Sequence, residues 1–428
     1  MSLALENDPS RFASAKELHA RPFPAIHSSG FALSVALRDA GADYVDSEKS
    51  AAALHALLDH YGAPRPSEGA NHAFLDIDAY RLKWERHTEF ETYTFFSDQG
   101  LNPPFSLTDA ILPEFWCQNL ETNLITSVLV QIEKAPPGAG AEDGVDAFTK
   151  TYLVPESTSI SNTDSGSVVI ASDFQIDAEG YVRMLVSASS DVGPRRLGRV
   201  TQRLIEIETY KSMAMLTLPV ARSASARLAK IESEIAEIVR SFAETEADGG
   251  ESLARLVSVS AELEDISAQS DSRFSAARAY SAIVNQRIEV LREERFVGRQ
   301  TMSEFMQRRF DPAMRTCEST AQRLMATATR ANRVAQLLRT RADVSREEQN
   351  QQILERMDKR AALQLKLQKT VEGLSVVAIS YYAVNLASYA VAPFAGIVGL
   401  SKVTLTALLT PVVLLGVWWI IRRIRREI

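Results

Sequence analysis

One uncharged run near the C-terminus constrains this chain more than anything else in it. From Gly373 to Ile421 the only charged residue is Lys402. The run divides into Gly373–Val391 and Val403–Ile421, joined by APFAGIVGLSK. Crossing a bilayer takes about 20 apolar residues as a helix, so each piece is long enough to cross once. Trp418 and Trp419 then form an aromatic belt before the basic tail Arg422, Arg423, Arg425 and Arg426. Lys359, Arg360, Lys366 and Lys369 precede the first piece. Basic residues stay on the cytoplasmic side. The expectation is therefore an inner-membrane protein with two spans, both termini cytoplasmic and a short outer loop. Trp418, Trp419, Arg422 and Arg423 are its membrane-interface residues.

Upstream, residues 1–190 read as a cytoplasmic α+β domain. FALSVALR and NLITSVLVQIEK alternate as strands do, and SVVIASDFQIDAEGYVRMLVS reads as two strands around Asp177–Gly180. SEKSAAALHALLDHYG has apolar residues at helical spacing and ends on a glycine. Residues 191–312 read as a helical domain, with helices near 197–218, 220–246 and 251–310 divided at Pro219, ADGGES and Pro312. Residues 313–370 read as a long stalk helix entering the first span, with the helix measuring about 120 Å in all. Met314, Cys317, Ala321, Leu324, Ala328, Ala331, Ala335, Leu338 and Ala342 form a coiled-coil seam along it. The remainder divides into transmembrane helix 371–392, outer loop 393–402, transmembrane helix 403–421 and tail 422–428.

The first span is unusually polar. Val371, Ser375, Ala378, Tyr382, Asn385, Tyr389 and Ala392 recur at steps of three and four, so they share a face. Polar groups in hydrocarbon require a partner or water. Three readings compete: hydrogen bonds between helices, the lining of a pore built by several copies, and interface anchoring by Tyr389. In the pore reading Leu354 and Met357 form a dry cytoplasmic gate.

The layout resembles the CorA-type divalent-cation transporters: a cytoplasmic domain, a long stalk entering the first span, a short outer loop, a second span and a basic tail. That family carries Gly-Met-Asn, commonly preceded by tyrosine, at the outer end of the first span. Here the place reads Tyr382-Ala383-Val384-Asn385, retaining tyrosine and asparagine but not glycine or methionine. The resemblance implies a homo-oligomer, a pentamer, that passes a divalent cation such as magnesium. Tyr382, Asn385, Tyr389 and Ser375 would then be its pore and selectivity residues. The alternative is a non-conducting membrane-anchored scaffold or sensor with a coiled-coil stalk. LHARPFPA, KWERHTEF, IETYKSMAMLTLPVAR and AISYYAVNL are also similar to stretches of an uncharacterised bacterial family of membrane-anchored proteins.

Other chemistry is sparse. Cys117 and Cys317 are the only cysteines, which fits a reducing compartment and no disulfide framework. The start MSLALENDPS reads as no secretory signal. His19, His27, His55, His60, His72 and His87 lie near Asp76, Asp78, Glu85, Glu89 and Glu91, yet match no metal-ligand spacing. HARPFPA reads as a rigid extended entry segment in which Arg21 pairs with a carboxylate. No phosphate-binding loop, nucleophile elbow or CxxC is present, so no enzyme and no covalently bound cofactor is expected. The net charge of −7 and the interleaved arginines and glutamates of 273–341 point away from nucleic acid. The expected partners are the bilayer and further copies of the chain.

Overall fold

The computed structural model describes residues 8, 11, 23–41, 44–107, 110–163, 166–244, 249–394 and 401–427. The chain forms two compact units, 1–247 with 254–334, and 248–253 with 335–428.

The first unit is built on one sheet of nine strands: β1 (Gly30–Asp39), β2 (His72–Ile77), β3 (Tyr80–Arg86), β4 (Glu91–Ser97), β5 (Thr122–Lys134), β6 (Ser159–Thr163), β7 (Val168–Ile176), β8 (Val182–Ala188) and β9 (Glu294–Arg295). Their order is β2-β3-β4-β1-β5-β8-β7-β6-β9. Neighbours are antiparallel except at the centre, where β5 and β8 run parallel, Val128 opposite Val182. Two antiparallel halves thus meet at one parallel seam. The β7–β8 turn is made by Asp177, whose Oδ1 accepts from the backbone of Glu179 and Tyr181, with Gly180 at φ 95°.

Alternation along each strand gives the sheet two buried faces. On one, Leu33, Leu82, Trp84, Tyr93 and Phe95 pack under α1 (Ser47–His60) and α2 (Glu114–Asn119). Under α3 (Val145–Tyr152), Leu185 and Val169 continue that cover. On the other face, Val128, Val130, Met184 and Val186 pack against Leu197, Leu204 and Ile207 of α4 (Pro194–Met215). Val284 and Ile288 of α6 (Gly249–Leu291) and Phe305 and Met306 of α7 (Met302–Arg309) complete that core. Between α4 and α6 runs α5 (Thr217–Glu244), and α8 (Asp311–Val391) follows α7. Gly198 of α4 permits a close approach: a Cβ there would lie 1.8 Å from the Pro24 carbonyl oxygen. The extended segment ending at Ile26 docks at this point, with the Ile26 N–H donating to the Pro194 carbonyl.

This corrects the expected fold class. The chain is a mixed α/β protein with a nine-stranded sheet in its N-terminal half, followed by helices, and it shows no CorA-like pattern. An α+β domain ending near residue 190 would leave out α4, which covers the sheet, and β9, which extends it beyond β6. Periodicity reveals which face of a segment is apolar, but not where the chain returns to the sheet. The order of apolar runs near the C-terminus, which carried the resemblance, constrains nothing upstream.

The helices also differ in detail. Pro219 lies in the first turn of α5 and Pro312 is the second residue of α8, positions where no backbone N–H is needed. The expected helix 251–310 stops at Leu291, because β9 and α7 intervene. The seam of α8 is tighter than the alanines suggest. Cys317, Leu324, Ala331 and Leu338 are buried at steps of seven, joined by Thr320, Thr327 and Val334 rather than Ala321, Ala328 and Ala335. Glu232 of α5 holds this part of α8 within the first unit. It accepts from both Arg323 Nε (2.8 Å) and Arg323 Nη2 (2.6 Å), and from Thr327.

In the second unit, α8 continues to Val391 and a short 3-10 turn (Ala392–Phe394) follows it. Its last helix is α9 (Lys402–Glu427). Residues 343–370 are exposed throughout. Beyond them half-buried positions reappear along one line of α8, at Val376, Ser380, Ala383, Ala387 and Val391. A matching line on α9 contains Leu405, Leu409, Val413, Val417 and Ile421. Burial along one line on each helix is what a packed pair produces.

Candidate functional site

The β3 strand reads YRLKWER and β4 reads ETYTFFS. Their alternation sends Leu82, Trp84, Tyr93 and Phe95 to the α1 face, so Lys83, Glu85, Thr92 and Thr94 must face α4. Register aligns them. Thr94 stands opposite Lys83 on one side and Ser34 of β1 on the other. The Ser34 and Thr94 hydroxyls share a 2.8 Å hydrogen bond. A polar row thus crosses three strands on a face that elsewhere is hydrophobic core.

Above this row lies a cavity of about 170 Å³. Its floor includes Ser34, Lys83, Glu85, Thr92 and Thr94. Its roof is formed by Gln202, Glu206, Thr209 and Tyr210 of α4 with Arg287 of α6. Lys83 is only 4% exposed, and its ammonium lies 2.9 Å from Glu85 Oε2. That contact is an ion pair whose geometry makes no hydrogen bond. In the roof Glu206 takes two donors: Gln202 Nε2 at 2.7 Å and Arg287 Nε. Gln202 is buried, and its Oε1 has no hydrogen-bond partner. Burying an amide oxygen without a hydrogen bond, or an ammonium whose one ion pair leaves its N–H donors unused, carries a desolvation penalty. These groups therefore point to something polar in the cavity. His87 flanks it, stacked on Phe90 at 4.3 Å between ring centroids.

A second cavity, of about 370 Å³, lies on the opposite sheet face beside Glu91, Trp116, Lys49 and Asp39. Glu91 is buried, and its Oε2 accepts from Ser50 Oγ, Trp84 Nε1 and Tyr93 Oη. Burial raises its pKa above the ordinary carboxylate value, although the three donors pull the other way. Burial likewise pushes the Tyr93 phenol well up. All three donors come from this protein, so Glu91 serves as an internal node of the α1–sheet junction.

The residues singled out from sequence are distributed differently. Tyr382 (66% exposed) and Tyr389 (77%) lie on the open side of α8, as does Ser375, while Asn385 is half-buried. Leu354 and Met357 are exposed. Trp418 and Trp419 are exposed on α9, with Arg422 over the first ring at 4.9 Å and Arg423 over the second at 5.8 Å. These groups share the second unit, but no cavity described here gathers them. His19, Arg21 and most of LHARPFPA lie outside the described residues, as does most of the outer loop. Among the described residues no group of three or more His, Cys, Asp or Glu is placed to hold a metal ion. Of the acidic and histidine residues considered from sequence, Glu85 and His87 line the polar cavity. Lys83, Thr92, Thr94, Gln202 and Arg287 were missed. The available signal was the interleaving in KWE and TYT, which gathers the polar residues of two neighbouring strands on one face.

A family model described as a protein of unknown function matches residues 6–428. No curated protein and no solved structure matches the chain.

Proposed function

The chain belongs to the DUF3422 family of proteins of unknown function, and on that premise we propose that it is a membrane-anchored receptor for a small polar solute. The observation that carries this reading is the polar cavity, in which Lys83 is buried and Gln202 Oε1 lacks a hydrogen-bond partner. Small-molecule sites are concave, largely preformed and marked by a few convergent polar groups. This cavity has those properties, and its size suits a ligand of few atoms.

Anchoring rests on α8 and α9, two helices long and apolar enough to cross a membrane. Leu374, Val377, Leu386, Val403, Leu408 and Val412 are all exposed on them. Exposed apolar side chains in this number are costly in water and favourable in lipid. Tryptophan beside arginine at the end of α9 suits the level of the lipid headgroups.

The test uses full-length protein in mild detergent. Thermal unfolding is followed with L-serine, acetate, inorganic phosphate, ethanolamine and glycerol as probes. At least one probe is expected to raise the midpoint of native protein and to lose that effect in Lys83→Met. Failure of every probe, or equal shifts in Lys83→Met, would remove the cavity from the role given to it.

A further inference from the structure

Resting on the receptor reading, we infer that the ligand of the polar cavity is a small zwitterion, with its carboxylate at Lys83 and its ammonium at Gln202 Oε1. Charge balance comes first. The charged groups lining the cavity are Lys83, Arg287, Glu85 and Glu206, with His87 at the side. They form two internal pairs, Lys83 with Glu85 and Arg287 with Glu206. The lining is therefore balanced before any ligand enters. A ligand of single net charge would bring an uncompensated charge in beside the buried Lys83, where charges are screened less than in bulk water. A ligand of zero net charge does not.

Hydrogen-bond demand comes second. The Lys83 ammonium has three N–H donors and makes no hydrogen bond within the protein. It calls for an acceptor. Gln202 commits its Nε2 to Glu206 and leaves Oε1 without a donor. It calls for a donor. The two demands arise on opposite walls, the first from the sheet and the second from α4. One molecule meets both when it carries an acceptor at one end and a donor at the other. With both signs of charge already in the walls, a carboxylate and an ammonium meet them more strongly than hydroxyls do.

Size comes third. A cavity of about 170 Å³ exceeds a single water's share of about 30 Å³ several-fold. It suits an amino acid with a short side chain and leaves little room for a larger one.

The experiment is isothermal titration of full-length protein in detergent with L-serine, lactate, ethanolamine and glycerol. Lactate lacks the ammonium, ethanolamine lacks the carboxylate, and glycerol lacks both. L-Serine is expected to bind at least about tenfold more tightly than any of the other three, the factor that one unsatisfied buried polar group produces. Gln202→Leu is expected to weaken L-serine by a similar factor and to weaken lactate, whose hydroxyl is the poorer donor, by clearly less. Tighter binding of lactate, ethanolamine or glycerol overturns the zwitterion while leaving a receptor. Absence of heat with all four, from protein that unfolds cooperatively, overturns the receptor itself. The ranking on native protein decides the matter even where the variant does not fold.

Discussion

Arg273 of α6 and Glu89, in the loop between β3 and β4, form a 2.6 Å ion pair with both side chains largely buried. The same guanidinium donates to the Met213 carbonyl at the end of α4, and the Arg273 carbonyl accepts from Thr217. Three elements far apart in sequence are thus tied at one arginine. Removing one partner of a buried pair leaves the other uncompensated. Arg273→Met is expected to destabilise the protein by about 3–5 kcal/mol, and Arg273→Met with Glu89→Leu by clearly less. Chemical denaturation of the four members of this cycle measures the coupling. Additive losses would show that the pair is not coupled.

At Gly198 the requirement is steric. A Cβ there would meet the Pro24 carbonyl oxygen at 1.8 Å, and backbone on both sides cannot simply rotate away. Gly198→Ala is expected to cost about 1–3 kcal/mol and to loosen the segment ending at Ile26. Limited proteolysis of native protein and variant compares that segment directly. Equal cleavage and equal unfolding midpoints would contradict the close approach.

Glu91 predicts a pH dependence. Its carboxyl pKa is raised, chiefly by burial, so the folded state holds the proton more tightly than the unfolded state. The stabilisation is full below the ordinary carboxylate value of about 4.3. It is lost as pH rises through the higher folded-state value. Native protein is therefore expected to lose stability relative to Glu91→Gln across that window, and the difference should level off above it. A difference independent of pH would rule out this titration.

Membrane anchoring makes its own prediction. The full chain is expected to remain with membranes in alkaline carbonate and to be released by detergent. Leu386→Arg places a charge on the exposed face of α8 within the span, at a cost of about 2.5–3.5 kcal/mol, and is expected to reduce membrane retention. Release of the native chain by carbonate alone would exclude the two spans.

Conduction separates the receptor from a pore. Two helices enclose no channel, so an ion path past Tyr382, Asn385 and Tyr389 requires several copies around one axis. The receptor reading expects no cation flux in proteoliposomes. Flux that Asn385→Ala abolishes would establish a path along that face instead.

Some of this was readable in advance because it is local. The strands FALSVALR and NLITSVLVQIEK, the helix beginning at Ser47 and the turn at Asp177–Gly180 follow from alternation, capping and turn chemistry within a few residues. The apolar lengths of α8 and α9 follow from counting. Heptad spacing located the seam of α8, but not whether threonine or alanine occupies its second line, because helix 3.6-periodicity leaves neighbouring positions competing for one groove.

What only the tertiary structure decided is where distant segments meet. No local pattern states that β5 and β8 run parallel, that β9 returns after three long helices to extend the sheet, or that α4 lies across the second face. The polar cavity depends on all of this. Lys83 and Thr94 are neighbours by strand pairing, whereas Gln202 and Arg287 reach the same space only because α4 and α6 pack over that row. Sequence alone determined each residue's chemistry and the face its strand or helix would present. Long-range packing determined which of those faces oppose one another, because the favourable burial of one apolar face against another is non-directional and carries no record of its partner in the local sequence.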